Sequence, residues 1–352
     1  MKVSTLFSIL VVLMMVVFSC KKEDSTSGNT DYSKGVMISN EGPYLSGSGT
    51  VTWFNPDTKE VKQDIFETVN GKPLGNILQS MDLHNGKVYM VVNNAAKIEV
   101  ADASTFKSTA TITGFSLPRY FLGISDTKAY VTDWANVVDI VNLEGNTVTG
   151  TIPTQTGPDL MLKSGKFVFV LNDGGFSVDS TITVINSDND QVVKTLNVYN
   201  RPTGIVEDAA GKVWVMCSGK GYNDFPADGD TKGYLIRLDP ATQTIDLTME
   251  IGDEHNHAEK LVINSEKNML YFLFNRGVYR LNTAFAGAEP ERVLSHDRLN
   301  ALTYDGANNI IYTSDRMDFQ QAGWVLRYQA SGGALIDSIP AGIVPGCIVV
   351  TH

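Results

Sequence analysis

The sequence has few of the residues from which many functional sites are recognised: its 352 residues include three cysteines and five histidines. Its 28 lysines and arginines are outnumbered by 39 aspartates and glutamates, which gives a formal net charge of -11. This charge repels phosphate backbones and anionic headgroups, so neither nucleic acid nor electrostatic membrane docking is expected. A hydrophobic fraction of 43% is ample for a packed core.

One short phrase recurs along the chain. Residues 86–94 read GKVYMVVNN and residues 211–219 read GKVWVMCSG: a glycine-lysine turn, β-forming residues around an aromatic side chain, then small polar residues. Successive copies are 39 to 57 residues apart, and no unit shows helical periodicity, which predicts the blades of a β-propeller. The seven copies are centred on Met37, Tyr89, Tyr130, Phe169, Trp214, Tyr271 and Tyr312.

Each unit divides into four short strands, A to D, separated by turn residues. In the second unit these are LQSMDLH, VYMVVN, KIEVADA and STATITG. The chain ends on VPGCIVVTH, which has the form of a strand A, whereas the first unit begins at strand B. We therefore predict an all-β fold, a seven-bladed propeller over residues 35–352, closed by pairing of the last strand with the first blade. Cys217 and Cys347 fall in separate blades, so two buried free thiols are expected.

The amino terminus differs in kind from the rest. A lysine precedes the apolar stretch LFSILVVLMMVVF, which is too short to span a bilayer comfortably and predicts a signal peptide over residues 1–19. The following Cys20 resembles the lipidated cysteine of bacterial lipoproteins, although Phe18 is bulkier than the residue usual at that position. The alternative is an ordinary secretory signal with an incidental cysteine. Residues 20–34 then form a flexible tether, and lipidation would anchor the protein to a membrane.

Several segments resemble the YncE-like family of seven-bladed propeller lipoproteins on the surface of gut Gram-negative bacteria. They are NEGPYLSGSGTVTWFNPDT, VNGKPLGNILQSM, KIEVADASTF, LPRYFLGISDTKAYVTD and GKVWVMCSG. The BtuG-type members of that family capture cobalamin and pass it to a TonB-dependent transporter. The resemblance implies a lipoprotein anchored in the outer membrane and facing the cell surface. It also implies a corrinoid as the transported ligand, not as a cofactor, and a TonB-dependent transporter as the partner. The charged KKED after Cys20 is similar to the export signal of surface lipoproteins.

In a four-stranded blade, the B-to-C and D-to-A loops share one face of the disc. All long insertions fall in these loops, at residues 40–49, 69–79, 172–180, 218–233, 252–260 and 315–323. We predict a ligand site at this face, because aromatic side chains there alternate with polar ones that suit a large, amide-rich ligand. For any single Asn or Asp the alternative is simple turn capping. The candidates are Asn40, Glu41, Tyr44, Asn93, Asn94, Arg119, Tyr120, Asp133, Trp134, Asn172, Asp173, Phe176, Arg201, Tyr222, Asn223, Phe225, Asn275, Arg276, Asp315, Arg316 and Phe319.

Two further classes of function stay open. His255 and His257 in DEHNH are weak metal candidates, since neither CxxC nor HExxH spacing supports them and a solvated acidic loop is the alternative. The sequence contains no GxSxG, P-loop or dinucleotide glycine pattern, so no catalytic residue and no enzyme activity is predicted. Propellers nevertheless host lactonase-type hydrolases with a channel metal. A module whose loop face binds another protein is the third class.

Overall fold

The computed structural model describes residues 30–223, 227–285 and 287–352, except for the side chain of Phe285. Residues 31–352 fold into seven antiparallel sheets of four strands each, which confirms the predicted seven-bladed propeller. Cys20 and Phe225 lie outside the described residues. Within those residues, no helix has the length and apolar character needed to cross a membrane.

The first four blades contain fifteen strands that are contiguous in sequence. They are β1 Gly35–Asn40, β2 Thr50–Phe54 and β3 Val61–Lys62; β4 Leu78–His84, β5 Lys87–Val92, β6 Lys97–Asp102 and β7 Ser108–Thr113; β8 Pro118–Gly123, β9 Lys128–Asp133, β10 Val137–Asn142 and β11 Thr147–Pro153; and β12 Pro158–Ser164, β13 Phe167–Asn172, β14 Thr181–Asn186 and β15 Gln191–Asn197.

The remaining blades follow the same plan. They are β16 Pro202–Glu207, β17 Val213–Cys217, β18 Gly233–Asp239 and β19 Thr244–Ile251; β20 Glu259–Ile263, β21 Met269–Phe274, β22 Gly277–Asn282 and β23 Glu291–Ser295; and β24 Leu299–Asp305, β25 Ile310–Asp315, β26 Ala322–Gln329 and β27 Leu335–Ile343. The last strand, β28 Pro345–Thr351, pairs antiparallel with β1, from Gly35 opposite Thr351 to Asn40 opposite Pro345. The predicted closure is therefore confirmed.

The recurring phrase has a packing explanation. Its central residue is at most 4% exposed in all seven copies. Each packs in a hydrophobic cluster shared with the next blade: Tyr89 lies with Phe121, Tyr130 with Val168, and Tyr312 with Ile348. The core is thus divided into seven layers between neighbouring blades, and burying an aromatic ring in each layer stabilises the ring of sheets by a few kcal/mol, about the cost of truncating it.

Two local features were not predicted. A short helix, α1 Ile65–Asn70, occupies the connection between the first two blades, where Asp64 caps its start and Gly71, at φ 65°, caps its end. Ile65 and Phe66 of this helix are buried. Both Cys217 and Cys347 are free thiols as expected, but the prediction that both are buried was wrong for Cys347, which is half-buried because it lies at the margin of the first hydrophobic cluster.

Candidate functional site

The inner strands of the blades, β28, β4, β8, β12, β16, β20 and β24, surround the central channel, each next to the inner strand of the neighbouring blade. Near its start, each inner strand has a shift of register against the second strand of its blade. A β-bulge of this kind redirects a side chain out of the regular alternation. We call the residues at the second position of the inner strands the bulge ring: Gln79, Arg119, Asp159, Thr203, Lys260, Asn300 and Gly346.

The bulge ring lines two adjoining cavities at the loop face. The first, of about 330 Å³, is lined by Gln79, Arg119, Asp159, Thr203 and Lys260, together with Glu41, Tyr120, Leu160, Asp173, Arg201 and Glu259. Gly346 leaves room for Glu41, because a Cβ at Gly346 would lie 3.2 Å from Glu41 Oε1. The volume of this cavity is in the range of small-molecule sites.

The second cavity has a volume of about 390 Å³ and shares Glu259 with the first. Its lining includes the predicted residues Tyr222, Asn223, Asn275, Arg276, Arg316 and Phe319, together with His257, Asn256, Arg298 and Asn300. The remaining lining residues are Leu273, Phe274, Gly277 and Leu299. A ligand larger than either cavity would lie across both of them.

Arg119 organises the first cavity. Its Nε donates a hydrogen bond to Asp159 Oδ1 at 2.8 Å, its Nη1 donates to Gln79, and its guanidinium stacks 3.9 Å from the centroid of the Trp134 ring. Burial acts to lower the pKa of Arg119, but Asp159 and Tyr120 outweigh it and raise that pKa. Arg119 therefore remains charged and fixes three neighbours.

Two carboxyl groups of this cavity, those of Asp173 and Glu41, have a raised pKa. Burial, reinforced by the charge of Asp159, raises the pKa of Asp173 to about 7. Burial also raises the pKa of Glu41, against the opposing influence of Lys260 and Arg119. Carboxyls of this kind can donate or accept a hydrogen bond near neutral pH, which is a property of binding and catalytic sites.

Exposed aromatic side chains surround the cavities. Phe176 is 87% exposed and meets the edge of the Trp134 ring, with ring centroids 4.9 Å apart. The close approach of the two loops here requires Gly157, at φ 62°, because a Cβ there would lie 2.2 Å from Gly175 N. Tyr222 lies over Arg201 and Phe319 over Arg316, with the guanidinium carbon 4.7 Å and 4.6 Å from the ring centroids. Tyr44 is also exposed, in the loop after β1.

Other candidates have structural partners instead. Asn40 and Asn172 each donate to two threonine hydroxyls of the adjacent strand. Asn93 donates to Pro118 O at 2.9 Å, and Asn94 donates to Asn76 Oδ1. The contacts of these four asparagines are therefore within the protein, as the alternative of turn capping expects.

Two aspartates at the loop face also act within the protein. Asp133 accepts the backbone N–H groups of Ser116, Leu117 and Ala135. Asp315 accepts from Arg298 at 3.1 Å and contacts His296 Nε2 at 3.0 Å. Despite the burial that opposes it, the hydrogen bond from Arg298 helps to lower the pKa of Asp315.

The two histidines of DEHNH are placed differently. His257 is buried and its Nδ1–H donates to Ser218 O at 2.8 Å, whereas His255 is exposed, with Nδ1 3.8 Å from Asp230 Oδ2. Over residues 30–223, 227–285 and 287–352, no group of three or more His, Cys, Asp or Glu side chains is arranged to hold a metal ion.

Sequence reasoning missed much of the bulge ring, including Gln79, Asp159, Thr203, Lys260 and Asn300. A signal was available in four blades, where the inner strand begins with proline and the bulged residue follows directly, as in Pro118-Arg119, Pro158-Asp159, Pro202-Thr203 and Pro345-Gly346. Proline has no N–H to contribute to the ladder, so it favours the first position of a strand or a bulge.

Comparison with solved structures finds similar propellers at low identity. A quinonprotein alcohol dehydrogenase-like protein of Bacteroides thetaiotaomicron superposes with a TM-score of 0.69 at 14% identity, covering 92% of this chain and 80% of its own. The hydrazine synthase of Kuenenia stuttgartiensis has a TM-score of 0.63 at 14% identity, covering 76% of this chain and 88% of its own. These likenesses concern the fold alone.

Comparison by sequence finds no match among curated proteins. A protein-family model described as a domain of unknown function, DUF5074, matches residues 34–341. Because that match spans most of the propeller, the chain belongs to the DUF5074 family.

Proposed function

We propose that this protein captures a large polar nutrient at the loop face of its propeller and delivers it to an outer-membrane transporter. The observation that carries the proposal is the pair of adjoining cavities that share Glu259. They combine hydrogen-bond donors and acceptors with the exposed rings of Tyr222 and Phe319. Polar sites of this kind discriminate against ligands that leave their groups unpaired.

A corrinoid is the proposed nutrient, and a TonB-dependent transporter the proposed recipient. Both come from the resemblance to the YncE-like lipoproteins, which is independent of the cavities. A corrinoid is a broad ring system with amide groups on its periphery, so it suits a site with exposed aromatic walls and amide side chains such as Asn275.

Colour gives a direct test of the ligand. Protein lacking residues 1–20 is mixed with cyanocobalamin at micromolar concentrations and passed over a desalting column, and haem is run in parallel as a competing coloured ligand. Red colour that elutes with the protein supports the proposal. Free vitamin in the salt volume contradicts corrinoid binding. Retention of haem alone would indicate haem, not a corrinoid, as the ligand.

The proposed localisation is the outer membrane, with the protein anchored through lipid on Cys20 and facing the cell surface. Metabolic labelling with radioactive palmitate should label the full chain and not its Cys20→Ser variant, which should also leave the membrane fraction. Binding of an antibody against the protein to intact cells then separates a surface location from a periplasmic one. Labelling of the variant as strong as that of the natural chain would contradict the anchor.

One observation favours a second function, a hydrolase of the propeller type. A carboxyl with a pKa of about 7, as at Asp173, is suited to act as a general acid near neutral pH. Elemental analysis of the purified protein tests the lactonase-like form of this candidate, which requires a stoichiometric divalent metal in the channel. A metal-free protein without activity on lactones would contradict it.

A further inference from the structure

Lys260 differs from the other polar members of the bulge ring. Arg119 donates to both Gln79 and Asp159, Thr203 bonds to Ser218, and Asn300 donates to Pro345 O. The ammonium group of Lys260 has no hydrogen bond or ion pair with any residue in the part of the chain that the structure describes. It lines the first cavity all the same.

The backbone at Lys260 is unfavourable for a lysine. Its φ is 58°, in the left-handed region where residues with a Cβ are disfavoured and glycine is the usual choice. Such conformations occur where the surrounding structure imposes them, often at functional sites. A lysine that contributes no contact to the fold and occupies a strained position is best explained by a ligand.

A second unpaired donor lies within electrostatic range of Lys260. The Tyr120 hydroxyl lines the same cavity and has no hydrogen-bond partner among the described residues. Burial raises the pKa of Tyr120, so the phenol keeps its proton and acts as a donor. Burial acts to lower the pKa of Lys260, but the nearby acidic groups, among them Glu259 and Asp159, outweigh it and raise that pKa, so the ammonium stays charged.

The acidic neighbours do not satisfy these donors. Asp159 accepts from Arg119, and the pKa of Glu41 is raised by burial, which favours its neutral form. Glu259 and Asp173 also line the cavity, and neither is within hydrogen-bond or ion-pair distance of the Lys260 ammonium. The cavity therefore offers an unpaired ammonium, a phenol and the second cation Arg201 to an acceptor that a ligand carries.

We propose that Lys260 and Tyr120 anchor an oxyanion, a carboxylate or phosphate group, that the ligand carries. The inference rests on the proposed function only in assigning the first cavity to ligand binding. A lysine ammonium binds such a group as a point charge and a tyrosine adds one directed hydrogen bond. The ligand class is then a polar organic molecule that carries an oxyanion group.

Calorimetric titration with inorganic phosphate and with acetate, at constant ionic strength set by chloride, tests this inference. At least one of the two should bind the natural protein with a Kd of about 1 mM or tighter. The stronger probe identifies which oxyanion the ligand carries. Lys260→Gln should weaken that binding at least about tenfold, and Tyr120→Phe should weaken it by a smaller factor of about three to ten, as expected for one hydrogen bond.

Lys163→Gln is the matched control, because Lys163 is an exposed lysine of the inner strand β12, close to its carboxyl end. It should leave anion binding unchanged. Tyr120→Phe removes a single oxygen atom and keeps the test valid if Lys260→Gln fails to fold. Absence of binding by both probes, or equal binding by the Lys260, Tyr120 and Lys163 variants, overturns the inference. Cyanocobalamin is titrated into the same preparation, so that retained corrinoid binding with no anion binding contradicts this inference alone.

Discussion

Two aspartates, one at each rim of the propeller, have pKa values shifted in opposite directions. At the rim of short turns, Asp239 accepts from Lys212 and from the backbone of Thr242 and Ala241, and these bonds lower its pKa to about 2. At the loop rim, burial raises the pKa of Asp173 to about 7. At the turn rim, the hydrogen bonds of Asp239 stabilise a hairpin and favour the ionised carboxylate. At the loop rim, Asp173 is buried beside the charge of Asp159, which disfavours its ionised form.

Removing the strand that both rims share should have the largest effect. Deletion of residues 345–352 removes β28, the inner strand of the first blade, and exposes the apolar layer around Ile348. We expect Tm to fall by more than about 10 °C, because a loss of about 5 kcal/mol or more corresponds to such a shift in a large domain. Thermal unfolding followed by circular dichroism measures this change.

The control for that deletion removes only His352, whose Nε2 lies 3.0 Å from Asp305 Oδ1. It should shift Tm by much less than the longer deletion, since Asp305 keeps the hydrogen bonds that it accepts from Ala307 and Asn308. An undiminished Tm in the longer deletion would contradict closure of the ring by β28.

Arg119→Ala should be the most destabilising point substitution in the first cavity. It leaves Asp159, whose side chain is 14% exposed, without its ion pair and removes the stacking on Trp134. We expect a loss of about 2–3 kcal/mol in the free energy of unfolding, below the cost of breaking a fully buried pair because the cavity is open to water. Urea denaturation measures it.

At the outer side of the sixth blade, Arg280→Ala removes an ion pair with Glu291, whose side chain is 66% exposed. Its expected cost is under about 1 kcal/mol. Equal losses for the two arginines would show that Arg119 is an ordinary surface residue.

The aspartates of the two rims should respond to pH with opposite sign. The pKa of Asp173 is higher in the folded protein than in the unfolded chain, so ionisation of this group lowers stability as pH rises from about 4 to 7. Asp173→Asn should therefore match the natural protein near pH 4 and exceed its stability by up to about 4 kcal/mol at pH 8. Urea denaturation across this range provides the comparison.

Asp239→Asn is the counterpart at the turn rim. The folded pKa there is about 2, so the carboxylate stabilises the protein above the unfolded pKa and loses that effect as pH falls through about 2. The variant should be less stable than the natural protein at neutral pH. A pH-independent difference for both variants would refute the contrast between the rims.

Exposed aromatic side chains at the loop rim should affect binding and leave stability unchanged. Phe176→Ala and Tyr222→Ala remove rings that are 87% and 56% exposed, and each should weaken cyanocobalamin binding about tenfold with Tm preserved. Leu335→Ala is the control, since Leu335 is 57% exposed at the start of β27, at the turn rim. Unchanged affinity in both aromatic variants would show that the wrong loops were chosen.

The architecture was predictable because one packing requirement repeats seven times. The central residue of each phrase, Met37 in the first copy and an aromatic residue in the others, fills the layer between two blades, and the strand Leu78–His84 begins where the sequence indicates. The helix Ile65–Asn70 was not predicted, since it is a single short segment whose formation depends on the caps at Asp64 and Gly71 and on burial of Phe66.

The site was predictable only in its location. Loop length indicates the rim, and Glu41 and Asp173 lie in its long loops, whereas Arg119, Tyr120 and Arg201 were named from shorter segments of the same face. The bulge ring was missed because a shift of register depends on how the inner strands pair inside the closed ring, which the sequence of one blade does not reveal. Asparagine occurs both in ligand sites and within folds, and only the hydrogen bonds of Asn40 and Asn172 to threonine hydroxyls show that these two act within the fold.

A crystal structure of the protein soaked with cyanocobalamin tests the account most directly. We predict density for the corrinoid at the loop rim, across the cavity lined by Arg119, Asp173 and Lys260. Corrinoid density at the rim of short turns, or cavities that remain free of ligand at saturating vitamin, would contradict it.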